Sequence, residues 1–306
     1  MDDLRDLMVP PGTTLMRDPR NVAVRDLEES DRVALLGVPW DWGITGRPGS
    51  RHSPAKIRSY LYSMKTFSPV HGELRFAPRD LGDVKIAPGD WETTGKRVTN
   101  ALQLIYSQFP HVIILGGDHS ITEWTLTPLL EEYERVGLIL LDAHYDMRSV
   151  EEGYTSGLWL YNLVKKYRGK LVASIVGIGE YANPPYLAER AEEAGFKVIP
   201  AQTVLNDPST VYDAIEYIEG EADAYYISID MDHIDQAFAP GVNSPSHLGL
   251  YPQHTIMLLE EAIPVLCPKG VDIVEVVPHL DVADATVRLS ALIAAKIHHL
   301  FTGACK

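Results

Sequence analysis

The stretch LILLDAHYD, residues 138–146, joins an apolar run to a cluster of acidic and imidazole side chains. Similar apolar runs recur along the chain, and each breaks off into polar residues or glycine. Their length and their content of valine, isoleucine and leucine are typical of buried β-strands. The other runs are VALLGVP (33–39), VIILGG (112–117), LVASIVGIG (171–179), YYISI (225–229) and VDIVEVVP (271–278).

Helical patterns separate these predicted strands, as in ITEWTLTPLLEEYERV (121–136) and PPYLAERAEEAG (184–195). Alternating strands and helices predict an α/β fold with a largely parallel central sheet and helices on both faces. In such sheets ligands bind beyond the carboxyl ends of the strands, which is where the polar clusters fall. The pattern therefore predicts a functional site at that edge of the sheet.

Three strand ends carry side chains of the types that bind metal ions. In an extended chain, residues two apart point to the same side, so each cluster is expected to face one way. Glycines before the third cluster allow close approach of the backbone. The clusters are Asp142, His144 and Asp146 after LILL, Asp230 and Asp232 after YYISI, and Asp118 and His119 after VIILGG.

Carboxylates crowded at one place repel one another, and cations are needed to offset the cost in free energy. Carboxylate and imidazole ligands without thiolates suit Mn²⁺, Mg²⁺, Zn²⁺, Fe²⁺ or Ni²⁺. Two ions about 3.5–4 Å apart can share carboxylates and activate a water molecule for hydrolysis. We therefore predict a binuclear metal hydrolase that needs no organic cofactor.

The whole chain favours a globular enzyme with a small substrate. It has 306 residues, of which 45% are hydrophobic, and a formal net charge of -15, which disfavours nucleic-acid or anionic-membrane partners. No linker interrupts it, so residues 1–306 are expected to form one catalytic domain with residues 1–30 as an N-terminal arm. The start, MDDLRDLMVP, lacks signal-peptide features and no apolar run could cross a membrane, which predicts a cytoplasmic location.

Several other residues receive structural interpretations. Cys267 and Cys305 fit neither a disulfide framework nor a thiolate metal site, and both are expected to be inert. Ser120 and Glu123 form an S-x-x-E pattern that predicts a helix capping box. His233 is expected to support the site from a loop rather than to bind metal.

The joint set of motifs resembles the ureohydrolase superfamily, which includes arginases, agmatinases and formimidoylglutamases. GGDHS (116–120), DAHYD (142–146) and SIDMDHIDQAFAPG (228–241) match its three metal motifs. The resemblance extends to GVPWDWG (37–43), RPGSRHSPAKIR (47–58), DLGDV (80–84) and VEVVP (274–278). It implies the three-layer α/β/α arginase fold, assembled as a homotrimer or homohexamer.

The resemblance also implies a role for each site residue. Two manganese ions would be bound per chain. Glu275 would grip the cationic amidino or guanidino group of the substrate, and Asp146 would take up a proton as the amine leaves. The first ion would be held by His119, Asp142, Asp146 and Asp230, and the second by Asp142, His144, Asp230 and Asp232, with Asp142 and Asp230 bridging.

Departures from the arginase and agmatinase patterns point to the formimidoylglutamase branch. A histidine usually follows DAHxD shortly in those enzymes, whereas residues 147–163 contain none. DAHYDMR with TSG (155–157), and APGVNSP (239–245), resemble formimidoylglutamases instead. Arg148 and Ser156 are then predicted to bind the substrate, with the Arg148 guanidinium pairing its carboxylate. The alternative for Arg148 is a surface salt bridge.

The leading hypothesis is hydrolysis of N-formimidoyl-L-glutamate to L-glutamate and formamide. The TPF that usually follows SG is replaced by Leu158, Trp159 and Leu160, which leaves the shape of the pocket open. An agmatinase or another guanidino hydrolase that releases urea is the first alternative. A catalytically weak, metal-binding regulatory homologue is the second, and the full set of ligands argues against it.

Overall fold

A computed structural model of the chain describes residues 20–305. Its strands are β1 (Glu29–Gly37), β2 (Phe67–Ser68), β3 (Gly72–Glu73), β4 (Ala77–Asp83), β5 (His111–Leu115), β6 (Val136–Leu141), β7 (Leu171–Ile178), β8 (Lys197–Pro200), β9 (Ala224–Asp230) and β10 (Gly270–Val274). Strands β2 and β3 form a small antiparallel pair. The other eight form one sheet in the order β4-β1-β5-β10-β9-β6-β7-β8, and all neighbouring pairs in it are parallel.

Helices connect these strands and cover the sheet. They are α1 (Ser53–Leu61), α2 (Trp91–Gln108), α3 (Ile121–Glu132), α4 (Trp159–Lys166), α5 (Pro185–Glu193), α6 (Ala201–Asn206), α7 (Asp213–Ile218), α8 (Pro252–Leu266) and α9 (Ala285–Gly303). Short 3₁₀ turns lie at Val24–Asp26, Ser50–His52, Val150–Glu152, Ser156–Leu158, Pro208–Tyr212, Met231–His233 and Pro278–Leu280.

The central strands are buried on both faces, as strand β5 illustrates. Ile113 and Leu115 belong to the core on one side of the sheet, whereas Val112 and Ile114 belong to the core on the other. This alternation follows from the two-residue period of a strand, and burial on both faces explains the continuous apolar run. The predicted three-layer α/β fold is confirmed.

The sequence pattern misses the two edge strands and one helix boundary. Strand β4 is polar and mostly exposed along its second half, and β8 has only four residues. Neither carries the apolar run by which the central strands were identified. The helical pattern of residues 121–136 is also divided, because α3 ends at Glu132 and Val136 already belongs to β6.

The two cysteines form a disulfide, so the expectation that they are inert and unpaired is wrong. Cys267 follows the end of α8 in a left-handed conformation, and Cys305 follows α9. Helices α8 and α9 pack together, which places the two Cα atoms 5.5 Å apart. A separation of 38 residues gives no sign of this proximity in the sequence.

The predicted N-terminal arm lies largely outside the described residues. Val24 donates its backbone N–H to the carbonyl of Met64 at 2.9 Å, which ties this segment to the turn after α1. Between residues 20 and 305, no helix has the length and apolar character needed to cross a membrane.

Candidate metal centre and active site

Asp142 follows β6 directly, and the next residues turn across the edge of the sheet. One Asp142 oxygen, Oδ1, accepts the backbone N–H of His144 at 2.7 Å. Asp146 has a φ of 51°, in the left-handed region that few residues other than glycine adopt. The chain therefore does not stay extended, and it is this turn that brings the three side chains together.

The neighbouring strand β9 ends in a second turn of similar construction. Asp230 is its last residue, and Oδ1 of Asp230 accepts the backbone N–H of Asp232 at 2.8 Å. Asp232 in turn accepts the N–H of Ala143 at 3.3 Å, which joins this turn to the one after β6. The ring of His233 binds the carbonyl of Asp230 from the loop and supports it.

His119 comes from the segment between β5 and α3. A side chain at Gly117 would collide with the carbonyl of Trp40, since a Cβ there would lie 1.6 Å from the oxygen. Asp118 accepts the N–H of Gly43 at 2.7 Å and both donors of Ser120. The predicted capping box is wrong, because the Ser120 hydroxyl is committed to Asp118 instead of the helix backbone.

One group of possible ligands surrounds Nδ1 of His119. Three carboxylate oxygens lie 3.2, 3.1 and 3.0 Å from it, namely Oδ2 of Asp142, Asp146 and Asp230. When two ligand atoms bind one ion at right angles, each about 2.1 Å from it, the two atoms lie about 3.0 Å apart. The spacing of this group therefore fits one divalent ion.

A second group lies beside it and shares Asp142. Nδ1 of His144 is 3.0 Å from Oδ2 of Asp232 and 3.5 Å from Oδ1 of Asp142. Two sets of three residues have ligand atoms close enough together to hold an ion, namely His119 with Asp142 and Asp230, and His144 with Asp142 and Asp232. Since the two oxygens of Asp142 face different groups, the arrangement fits a pair of ions. The bridging role of Asp230 stays a prediction.

The electrostatics of the cluster call for positive charge. Burial, followed by repulsion from Asp146 and Asp232, raises the pKa of Asp142. Burial and the Asp232 carboxylate also raise the pKa of Asp230 well above its usual range. Burial lowers the pKa of His119, but the carboxylates around it outweigh burial and raise that pKa. Protons and divalent ions would compete to supply this positive charge.

Unpartnered buried atoms also mark the site. Among the described residues, Nδ1 of His119, Oδ2 of Asp142 and Oε2 of Glu275 are buried and accept or donate no hydrogen bond. Buried polar atoms are rarely left in this state unless an ion, water or ligand satisfies them. The first two atoms point to the first metal group. The third points to a ligand with a donor group.

Ser228 and Asp272 hold the His119 ring through its Nε2. The sequence interpretation missed both residues. Ser228 donates its hydroxyl to Asp272 at 2.6 Å, so it must accept from Nε2 of His119, which is 2.9 Å away. This fixes the tautomer and leaves Nδ1 with a lone pair for a metal. Asp272 also accepts from Tyr226 and Thr122. The sequence feature that could have indicated this role is the carboxylate of Asp272 inside the apolar run VDIV.

Glu275 directly follows β10, which lies between β5 and β9 in the sheet. Its φ is 63°, and its Oε1 accepts the backbone N–H of His119 at 2.9 Å. Burial, followed by the nearby Asp118 carboxylate, raises the pKa of Glu275 well above its usual range. A cation placed at Oε2 would reverse that shift, so the site can recognise a positively charged group.

A cavity of about 280 Å³ joins most of the predicted site residues. Arg148 and Ser156, which are predicted to bind the substrate, lie in its wall, and the Arg148 side chain is 45% exposed. Asp142 lies beneath the lining. The predicted residues in the wall are His119, His144, Asp146, Arg148, Ser156, Asp230, Asp232 and Glu275, and the additional polar ones are Thr45, Thr155, Asn183, Asn243 and Ser244.

Leu158, Trp159 and Leu160, which stand where related enzymes usually have TPF, do not line this cavity. All three side chains are fully buried in the core. The indole N–H of Trp159 donates to Asp146, however, at 2.7 Å.

The family model described as "Arginase family" matches residues 31–299 of this chain. A formimidoylglutamase of Halobacterium salinarum is 30% identical over 282 residues, which cover 91% of this chain and 90% of that protein. The mitochondrial agmatinase of Gallus gallus is also 30% identical, over 300 residues that cover 92% of this chain and 86% of that protein.

Among solved structures, formimidoylglutamase from Bacillus subtilis superposes with a TM-score of 0.90. The superposition covers 99% of this chain and 98% of that one, at 24% sequence identity. At this identity the likeness is evidence for the fold alone.

Proposed function

This chain belongs to the arginase family of enzymes, which hydrolyse carbon–nitrogen bonds in linear amidines, and we propose that it converts N-formimidoyl-L-glutamate and water to L-glutamate and formamide. We further propose that residues 1–306 form a single cytoplasmic catalytic domain that assembles as a homotrimer or homohexamer. The continuous eight-stranded sheet supports the single domain.

Two Mn²⁺ ions are the proposed metals, with Zn²⁺, Fe²⁺ and Ni²⁺ as alternatives for the same ligands. The first would be held by His119, Asp142, Asp146 and Asp230, and the second by Asp142, His144, Asp230 and Asp232. When bound, such a pair of ions supplies a water molecule activated for nucleophilic attack. Spacings of 3.0–3.2 Å around His119 support the first set, and spacings of 3.0 and 3.5 Å from His144 to Asp232 and Asp142 support the second.

Glu275 would bind the cationic end of the substrate. Its Oε1 is held by the backbone of His119, so its orientation is fixed, while Oε2 is buried and unpartnered. An amidinium group is planar and offers N–H donors that such an oxygen can accept. Binding there would place the electrophilic carbon beside the metal ligands, and Asp146 would take up a proton as the amine leaves.

Arg148 is the residue that would distinguish the two substrates. It lines the same cavity as Glu275, so one cavity wall offers both an anion for the amidine and a cation for a carboxylate. Formimidoylglutamate has both groups, whereas agmatine has only cationic ones. Ser156, which also lines the cavity, would assist in binding the carboxylate.

An agmatinase-like activity is the alternative, and one observation favours it. Arg148 is already paired with Glu152, since Nη1 lies 3.3 Å from Oε2. A guanidinium neutralised in this way would repel agmatine less than a free one. The 30% identity to an agmatinase is also as high as that to a formimidoylglutamase.

A substrate panel distinguishes these activities. The Mn²⁺-loaded protein would be incubated with formimidoylglutamate, agmatine, arginine, guanidinobutyrate and guanidine, and the products assayed for formamide and urea. Formamide release from formimidoylglutamate, with kcat/KM at least a hundredfold above any guanidine substrate, is the expected result. Urea release from agmatine as the fastest reaction would support the alternative, and metal-free protein serves as the control.

A further inference from the structure

Trp159 contacts two of the residues that we assign to the first metal ion. Its indole N–H donates to Oδ2 of Asp146 at 2.7 Å, and its ring centroid lies 5.0 Å from that of the His119 imidazole. The side chain is fully buried at the start of α4. That helix is fixed to α3 by a hydrogen bond of 3.0 Å from Asn162 to Glu123. A rigid element behind the cavity therefore reaches the metal centre.

Asp146 needs such support more than the other carboxylates do. Asp142 and Asp230 each accept a backbone N–H from their own turn, which orients the carboxylate locally. Asp146 lies in a left-handed loop conformation and has no such backbone donor within residues 20–305. Oδ2, the oxygen that faces His119, is the one that accepts from Trp159.

We propose that Trp159 is a positioning residue, whose N–H holds the Asp146 carboxylate in the orientation that binds the first metal ion. The inference rests on the proposed function, which makes Asp146 a ligand. Trp159 does not line the cavity, so it acts through Asp146 and not on the substrate. A residue that served only for packing would need its ring but not its N–H.

Trp159→Phe separates these two roles, because it keeps an aromatic ring and removes the donor. Binding of Mn²⁺ would be followed by electron paramagnetic resonance of the free ion, in the parent and in each variant. A charge-assisted hydrogen bond of this kind predicts a dissociation constant about ten- to a hundredfold higher for one of the two ions. We expect kcat at subsaturating Mn²⁺ to fall accordingly, with KM for the substrate nearly unchanged.

Trp124→Phe is the matched control. Trp124 packs against Trp91 with ring centroids 5.0 Å apart and forms no hydrogen bond to a proposed ligand, so its variant should bind both ions like the parent. Equal binding of two ions by Trp159→Phe and the parent would overturn the inference but leave the proposed function intact. A parent that binds no pair of ions would overturn both.

A second measurement needs no substitution and so does not depend on the folding of a variant. The chain has five tryptophans, and the indole N–H signal of Trp159 can be identified as the one most broadened by substoichiometric Mn²⁺. With diamagnetic Zn²⁺ bound, this signal should lie far downfield and exchange slowly with water. A signal at an unbonded position with fast exchange would contradict the proposal.

Discussion

The guanidinium of Arg148 forms an ion pair with Glu152, with Nη1 3.3 Å from Oε2, while Arg148 also lines the cavity of the metal centre. Glu152 is held independently by the hydroxyl of Tyr186 at 2.6 Å and the backbone N–H of Ser149 at 3.0 Å. A substrate carboxylate would therefore compete with a fixed glutamate for the guanidinium. Arg148 is the residue at which the two substrate hypotheses make opposite predictions.

If Arg148 binds the substrate carboxylate, Arg148→Ala should raise KM for formimidoylglutamate. A charge-assisted contact is worth about 1.5–3 kcal/mol, or about one to two powers of ten. For agmatine, which has no carboxylate, KM should stay the same or fall. Steady-state kinetics with both substrates provide the measurement.

Arg135→Ala is the control for Arg148, since Arg135 forms an exposed ion pair with Glu221, at 3.2 Å, and does not line the cavity. Its KM for formimidoylglutamate should stay within about threefold of the parent, the change expected for a surface ion pair. Unchanged kinetics of Arg148→Ala with both substrates would identify Arg148 as a surface residue.

Asp232→Ala should remove the second metal and nearly abolish turnover. Oδ2 of Asp232 lies 3.0 Å from Nδ1 of His144, and the remaining carboxylates can still hold one ion. Metal analysis after removal of loose ions should give about two ions per parent chain and about one per variant chain. Glu221→Ala, which removes an exposed carboxylate paired with Arg135, should retain both ions. Activity within a few-fold of the parent at saturating Mn²⁺ would show that Asp232 is not a ligand.

Stability should fall in mild acid because of His298. Its Nε2 donates to the carbonyl of Phe76 at 2.9 Å, and its Nδ1 is buried without a partner. Burial lowers the pKa of His298 from 6.5 to about 4. Below pH 6.5 the unfolded chain binds a proton that the folded chain does not, so stability is lost as pH falls from about 6.5 to about 4.

Urea unfolding of metal-free protein tests this effect. Between pH 7 and pH 5 the His298 contribution amounts to about 2 kcal/mol. In His298→Gln, which keeps a donor for Phe76 but does not titrate, the loss of unfolding free energy over this range should be smaller by that amount. Parallel pH profiles of the two proteins would contradict the assignment.

The disulfide between Cys267 and Cys305 should stabilise the packing of α8 and α9. Closing a loop of 38 residues lowers the entropy of the unfolded chain, an effect worth about 2–4 kcal/mol. Dithiothreitol should lower the Tm of metal-free parent protein to that of Cys305→Ser and leave the variant unaffected. A parent with two free thiols, whose Tm does not respond to the reductant, would show that the bond is not formed.

Local sequence was sufficient for the class of fold and for most of the proposed ligands. The run before Asp142 is apolar at every position because β6 is buried on both faces, so the strand could be recognised without its neighbours. The ligands were identified because they follow such runs directly, as Asp230 follows the run YYISI at the end of β9. The edge strands β4 and β8 have no comparable burial and gave no such signal.

Contacts between distant segments explain the errors and omissions. The Ser120 hydroxyl could either cap its helix or donate to Asp118. It donates to Asp118, whose carboxylate is also held by the backbone N–H of Gly43, a distant segment of the chain. Ser228 was not recognised because its role depends on His119, more than a hundred residues away in sequence. Cys267 and Cys305 meet only because two helices pack together.

The sequence by itself determined that these strands end in acidic and imidazole groups, but only the tertiary structure decided which groups meet. The adjacent strands β5, β10, β9 and β6 carry His119, Glu275, Asp230 and Asp142 at their carboxyl ends. Along the chain, β10 comes last, yet in the sheet it lies between β5 and β9. Backbone hydrogen bonding follows the same pattern in any pair of parallel strands, so it cannot select this order. The packing of the connecting helices selects it, and thereby places Glu275 beside the ligands of the first metal group.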